Sequence, residues 1–457
     1  MYKNKRASFY LGALAAALLT AQSSFAAVSP DEAAKLNSSL TPLGAERAGN
    51  ADGTIPAWDG GYTKVDPGFK SGGKRGDPFA HENPLFSITA QNMEQYADKL
   101  SEGTKAMLKK YPDSYRLDVY PTHRTAAAPQ WVYDNTLKNA TNAKLIQGSA
   151  GSMPQGAHGG IPFPIPQNGE EAMWNHLLYW RGASFHMNFN IYLGTADGKR
   201  VLTGDSRGDY QMPYYQQDKT PEQTKGVYWA IRLLTDGPAL RAGEAIVGLQ
   251  NMDNNKTNVW TYMPGQRRVR KLPNACCDTP QPTTSGIMAF DDMYLYTGRL
   301  DRFDWKLVGK KEMYIPYNGN KVFTAAKAED TLADHHLNPD QIRWELHRVW
   351  VVEATLKPGQ RNLMAKSTYY LDEDIWSAVL ADRYDSQGQL AKMLWGTPVV
   401  MPDLPGVPVV NHGFYDLNSG AWLAAEVHAG KSLQYQIRDG YSDSVFSPDA
   451  MAGESIR

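Results

Sequence analysis

KSTYYLDEDIWSAVLADRYDSQGQLAKML, residues 366–394, decides the fold. Apolar and polar side chains alternate through KSTYYL, again through IWSAVLADRYD, and again through LAKML. A period of two is that of a β-strand, whose successive side chains point to opposite faces. Asp372, Glu373 and Asp374 interrupt the pattern as a bend, and Gln387-Gly388 interrupts it as a hairpin turn. Long strands joined by such short turns argue for an antiparallel sheet built as a meander.

The same period extends outward from this stretch. SFHMNFNIYLG (184–194), GVYWAIRLL (226–234), TNVWTYMP (257–264), DWKLVGKKEMYIPYN (304–318) and RWELHRVWVVEATLK (343–357) also read as strands. Pro264-Gly265 turns TNVWTYM back into QRRVRKL. Alternation there puts Arg267, Val269 and Lys271 on one face and Arg268 and Arg270 on the other. Neither face is apolar, which reads as an edge strand blunted by charge.

Helical patterns are fewer. Ser29, Pro30 and Glu32 form a capping box with proline at the first helical position, predicting a short helix to about Leu36. Residues 89–111 carry apolar faces at helical spacing, with Gly103 expected to split them into two helices. A third helix is expected from about Gly169, capped by Asn168, helped at its start by Glu170 and Glu171, and stopped by Gly182. Residues 41–85 are rich in glycine, proline and charge and read as a long extended arm. Residues 145–167 read as loop.

The first residues have a different purpose. Lys3, Lys5 and Arg6 precede an apolar run over 9–21, and Ser24-Phe25-Ala26 supplies small residues for cleavage. Residues 1–26 therefore read as a secretory signal peptide. The run is too short to span a bilayer, which takes roughly 20 apolar residues. No cysteine follows it as a lipidation site. The expected mature chain, 27–457, is soluble, not lipidated and periplasmic.

Composition narrows the function classes. The net charge of -1 and the lack of a basic cluster argue against nucleic acid and against an anionic membrane surface. Hydrophobic content of 42% supports a substantial core, and 12 Trp with 25 Tyr suit a wide binding surface or a β-rich interior. No G-x-S-x-G elbow and no H-E-x-x-H are present. The string from Gly68 to Lys74 ends in Arg75 where a P-loop needs Ser or Thr. His335 and His336 are adjacent and so do not share a face. Asp301 and Asp304 are spaced to opposite faces of a strand and read as salt-bridge partners. No catalytic constellation, metal site or cofactor is expected.

The whole cysteine complement is Cys276-Cys277, in a loop after a strand. Export implies an oxidising compartment. Three readings remain open: a vicinal disulfide forming a rigid turn, two buried free thiols, or a reactive redox pair.

Five long stretches together carry a resemblance: GGIPFPIP (159–166), WTYMPGQRRVRKLPNACCDTP (260–280), GRLDRFDWKLVGKKEMYIPYN (298–318), RWELHRVWVVEATLKPGQRN (343–362) and YYLDEDIWSAVLADRYDSQGQL (369–390). They resemble an exported Gram-negative family of unassigned function labelled outer-membrane lipoprotein-sorting-protein-like. The resemblance implies the LolA/LolB fold. The fold class is then α+β: a large curved antiparallel β-sheet, a half-open barrel, with helices packed against its concave face. The expected organisation is one such domain over 27–457, with the arm at 41–85 and a C-terminal extension at 400–457. The family's usual neighbours imply possible partners, an RND-type exporter and an outer-membrane protein.

Two functional readings follow. One is a carrier for a hydrophobic or amphipathic lipid-like molecule, moving it between inner and outer membrane without catalysis. The other is a docking or scaffold protein that uses the arm and the tail. An enzyme acting on an ester or a polysaccharide lacks a recognisable nucleophile. For the carrier, the candidate lining residues are Met173, Trp174, Leu177, Trp260, Tyr262, Trp305, Tyr314, Trp350 and Tyr370, each of which core packing also explains.

Overall fold

The structure, a computed structural model, describes residues 27–454 except 149 and 274. The signal-peptide reading of 1–26 lies outside the described residues. One 16-stranded sheet dominates. One half is a meander of Phe303–Pro316, Trp344–Leu356, Lys366–Asp372, Ala378–Tyr384 and Leu390–Pro398, each antiparallel to the next. The other half runs Ser184–Gly194, Arg200–Gln211, Val227–Gly237, Ala245–Asn251, Asn258–Met263 and Arg268–Lys271. Val409–Asp416 and Trp422–Val427 knit the halves together, pairing Leu390–Pro398 on one side and Ser184–Gly194 on the other. No pairing among the described residues joins the two ends, so the curved sheet stays open.

Several expectations are corrected here. The 400–457 segment, expected as a C-terminal extension, supplies two strands that form the seam of the sheet. Residues 145–167 include a hairpin, Lys144–Gly148 with Gly151–Gln155, whose turn uses Gly151 at φ +101°. Gly103 does not split the 89–111 helices. The break lies at Leu100 and Ser101, and Ser101 caps Glu102–Lys110 by accepting from the Thr104 N–H. Gly103 is needed for close approach, since a Cβ there would lie 2.5 Å from the Asp382 carboxylate. The helix Gly169–Leu177 starts at its Asn168 cap but ends well before Gly182. The Ser29 capping box forms, and Arg268–Lys271 lies at the end of the sheet with three charged, exposed side chains.

Helices cover both faces. Gly169–Leu177 packs on Phe303–Pro316 and Trp344–Leu356 in the main core, which also holds Trp229, Phe414 and Leu394. Glu102–Lys110 packs on Leu390–Pro398 in a second core with Met393, Trp395 and Trp422. Leu394 faces one core while Met393 and Trp395 face the other, as the strand period requires.

The arm is bonded to the body. Arg124, buried, makes a bidentate pair with Asp374 at 2.9 and 2.7 Å and donates to the Glu46 carbonyl at 2.7 Å. Arg75 likewise grips Asp403 at 2.8 and 2.7 Å and the Tyr435 carbonyl at 2.8 Å. Trp376 donates to the Leu43 carbonyl at 2.7 Å. Among the described residues no helix is long and apolar enough to cross a membrane.

Candidate functional site: a polar centre inside the main core

After the helix Gly169–Leu177 the chain reads Leu178-Tyr179-Trp180-Arg181-Gly182 before the strand at Ser184. Gly182 at φ +95° makes the corner. Backbone contacts hold it: the Tyr435 hydroxyl donates to the Arg181 carbonyl at 2.6 Å, and the Met212 N–H donates to the Ala183 carbonyl at 2.7 Å. The corner carries Arg181 into the core, where it is 5% exposed.

The Arg181 guanidinium lies 4.9 Å from the Tyr179 ring centroid, 4.9 Å from Trp229 and 5.1 Å from Tyr294. Among the described residues it makes no ion pair, and the oxygen beside it is the Tyr179 hydroxyl. The Tyr179 hydroxyl lies close to Arg181 and Ser377, though neither contact is aligned as a full hydrogen bond. A cation over an aromatic face gains roughly 0.5–2 kcal/mol. Taking a guanidinium out of water costs at least several kcal/mol. Arginine does not escape by losing its proton. Three rings therefore leave this charge undercompensated.

The natural counter-ion would be Glu426, on Trp422–Val427. The strand pairs through Ala424 with Tyr192 and next through Val427 with Asn190, so it carries one extra residue. That bulge holds Glu426 at φ +55° and turns its side chain inward. Tyr294 and Tyr210 donate to its Oε1 at 2.6 and 2.9 Å. Burial nevertheless pushes the carboxyl up to about 8, against those hydrogen bonds and the Arg181 charge. At neutral pH Glu426 is mostly protonated and does not neutralise Arg181. His412, on Val409–Asp416, stacks on Tyr294 at 4.4 Å, and burial and then Arg181 push it down to about 3. It is neutral.

Tyr294 belongs to a tight segment, Phe290–Leu295, in which Tyr294 has φ +46° and Leu295 φ +68°. With Glu426, three non-glycine residues near one point adopt the left-handed region. Such strain concentrates at ligand sites and switches. Buried Arg383 donates to the Asp291 and Leu295 carbonyls, each at 2.8 Å, and so props the segment. The loop of the cysteine pair lies against it. Cys276 and Cys277 are joined by a disulfide across Cα atoms 3.7 Å apart, the spacing of a trans peptide. Cys277 sits at φ +70°, and its carbonyl accepts from the Asp291 N–H at 3.0 Å.

Among the described residues, buried polar atoms without partners occur at several places, and four of them lie here: Tyr179 Oη, Trp229 Nε1, Glu426 Oε2 and His412 Nδ1, the last two 3.6 Å apart. Buried polar groups are nearly always satisfied, so such a group calls for an explanation. Donors predominate in this set: a guanidinium, an indole N–H, a phenol and a protonated carboxyl.

The structure does not bring the nine expected lining residues together. Met173, Trp174, Leu177, Trp305 and Trp350 belong to or pack against the main core. Trp174 donates to the Ser152 carbonyl at 3.2 Å, and Trp350 stacks on Trp376 with Lys310 4.9 Å from its ring. Tyr314 and Tyr370 lie in the second core, and the Tyr370 hydroxyl donates to Asp382 at 3.0 Å. Trp260 and Tyr262 belong to a small cluster with Phe446 and Met451. Sequence reasoning missed Arg181, Glu426, His412, Tyr179, Trp229 and Tyr294. A signal existed: LLYWRGASF and WLAAEVHAG each carry one charged residue in an otherwise apolar run.

Two further places have the composition of sites. A cavity of about 350 Å³ lies between the arm and Pro402-Asp403, lined by Tyr62, Phe69 and Arg75. His347, Asp372 and Asp374 have ligand-type atoms within 4.8 Å of one another. Burial opposes a charge on His347, but hydrogen bonds and charge from Asp372 and Glu345 raise it to about 9. Its nitrogens face Glu345 at 3.1 Å and Asp372 at 3.4 Å. The contacts of this cluster among the described residues form an ion-pair network beneath the arm.

A family model described as a protein of unknown function, DUF1329, matches residues 87–452. The chain belongs to the DUF1329 family. It is 40% identical over 470 residues to uncharacterized protein PA3922 of Pseudomonas aeruginosa, covering 100% of both chains. Among solved structures, a DUF1329 family protein from Desulfovibrio piger is 12% identical, with TM-score 0.39, over 59% of this chain and 92% of that one. The LolA superfamily protein NE2245 from Nitrosomonas europaea is 14% identical, with TM-score 0.35, over 62% of this chain and 100% of that one. The disulfide pair, Arg181, Glu426 and the strained 290–295 segment all fall inside the matched DUF1329 region.

Proposed function

We propose that this DUF1329 chain is a periplasmic, non-catalytic binding protein that carries a hydrophobic or amphipathic lipid-like molecule between inner and outer membrane. One observation carries the reading: an apolar core encloses a guanidinium without a counter-ion, beside unpartnered donors and strained backbone. An interior that only had to be stable would replace such groups with well-packed apolar side chains at little cost. A molecule with an apolar body and a polar end fits both parts of the interior. Burying its body contributes roughly 25 cal/mol per Å². Entry requires the wall to part, and the helix Gly169–Leu177, joined to Arg181 by three residues, is the element whose movement would open the centre. Of the nine lining candidates, Met173, Trp174 and Leu177 on that helix would meet such a guest.

The docking alternative uses the arm and the tail, and the Arg75 and Arg124 bonds favour an arm that supports the fold. Native mass spectrometry of the chain taken from the cell envelope without detergent tests the carrier reading. A bound species released on denaturation and recovered in organic extract is expected. A bare mass, unchanged after exposure to envelope lipids, would sink the proposal.

A further inference from the structure

We infer that the guest carries a carboxylate end group, seated on the Arg181 guanidinium in the main core and also held by the Tyr179 hydroxyl and the Trp229 indole N–H. This rests on the carrier reading and deepens it. Arg181 is the one charge among the groups that form the centre, since Glu426 is mostly protonated and His412 neutral at neutral pH. Charge balance then asks for one negative charge. The guanidinium fork matches a carboxylate in shape and donates two parallel hydrogen bonds to it. The unpartnered Trp229 Nε1 can only donate, so it too asks for an acceptor. A cationic or purely donating end group would face like charge and leave those donors unsatisfied. An alcohol end would satisfy one donor and leave the charge uncompensated.

The same centre discriminates by protonation. Glu426 faces Tyr294, Tyr210, His412 and Arg181, and as a neutral carboxyl it can donate from Oε2. As a carboxylate it would compete with the guest for Arg181.

The test uses amphiphiles of one chain length: dodecanoate, dodecanol, dodecylammonium and dodecyl phosphate. Each is titrated into the full chain, stripped of endogenous lipid, at pH 7, with binding read by calorimetry and tryptophan fluorescence. Dodecanoate is expected to bind about tenfold or more tighter than the alcohol or the ammonium, the margin of a charge-assisted contact over a neutral one. Arg181→Gln should abolish that preference. Trp229→Phe and Tyr179→Phe, which keep the rings, should weaken dodecanoate severalfold more than dodecanol, and they decide the matter if Arg181→Gln does not fold. Equal affinity for acid and alcohol overturns the carboxylate inference and leaves the carrier reading standing. Tighter binding of dodecyl phosphate overturns it in favour of a phosphate-ended guest. A carboxylate preference that survives all three substitutions moves the site away from Arg181. No binding of any amphiphile overturns inference and carrier reading together.

Discussion

Glu426→Gln is expected to stabilise the protein, increasingly so as pH rises. A carboxyl with an ordinary value of 4.5 that is held at about 8 in the fold keeps a proton the unfolded chain has lost. Between those values the folded state binds more protons than the unfolded state, so stability falls as pH rises, and it levels off above 8. The interval is about three and a half pH units, and each is worth about 1.4 kcal/mol. Burial of this one carboxyl thus costs up to about 5 kcal/mol at pH 8 and almost nothing at pH 4. Glutamine keeps an oxygen for the Tyr210 and Tyr294 hydroxyls and places N–H donors where Oε2 stood. It removes only the titration. His412, lowered from 6.5 to about 3, makes stability fall as pH drops below about 6.5, but it does so in both proteins and cancels in the difference. Urea unfolding of both proteins at pH 5, 6.5 and 8 gives the difference directly. The variant should gain about 3–5 kcal/mol on the wild type between pH 5 and 8. A difference that does not change with pH would mean that Glu426 is ionised in the fold and paired with Arg181, which would refute the account of the centre.

Three other outcomes are expected. Gly103→Ala puts a Cβ 2.5 Å from Asp382 Oδ1 and 2.6 Å from Met393 Cβ, and should destabilise by about 1–3 kcal/mol in chemical denaturation. Arg124→Leu leaves buried Asp374 unpaired and frees the carbonyls of the arm; a loss of about 3–5 kcal/mol is expected, with new protease cleavage within 41–85, and an intact arm at wild-type stability would contradict the clamp. Reduction of Cys276-Cys277 should add two hydrogens by mass yet change stability by only about 1 kcal/mol, because the closed loop is minimal; a loss several times larger would show that the turn itself holds Phe290–Leu295.

Strands with a clean period were legible. Ser184–Gly194 coincides with its reading from the sequence, and the three strands of 366–394, their acidic bend and the Gln387-Gly388 turn appear as expected. Arg200–Gln211 was not, because RVLTGDSRGDYQ is polar and glycine-bearing although it sits inside the sheet. Val409–Asp416 and Trp422–Val427 are buried on both faces, so they lack the alternation that marks a half-buried strand. That is why the seam of the sheet read as an extension. The polar centre was illegible for another reason: Arg181, Tyr210, Trp229, Tyr294, His412 and Glu426 come from six separate segments. Only a register, a bulge and a tight turn bring them together. The aromatic residues chosen for size fell instead into three different clusters, because size and period mark burial without saying which face is shared.

Electron density around Arg181, in crystals of protein purified from the envelope without detergent or organic solvent, tests the central claim most directly. The account predicts density within hydrogen-bond distance of the guanidinium and the Tyr179 hydroxyl, continuous with an apolar body in the main core. Discrete waters bridging Arg181 to an ionised Glu426, with no continuous density beyond them, would contradict it.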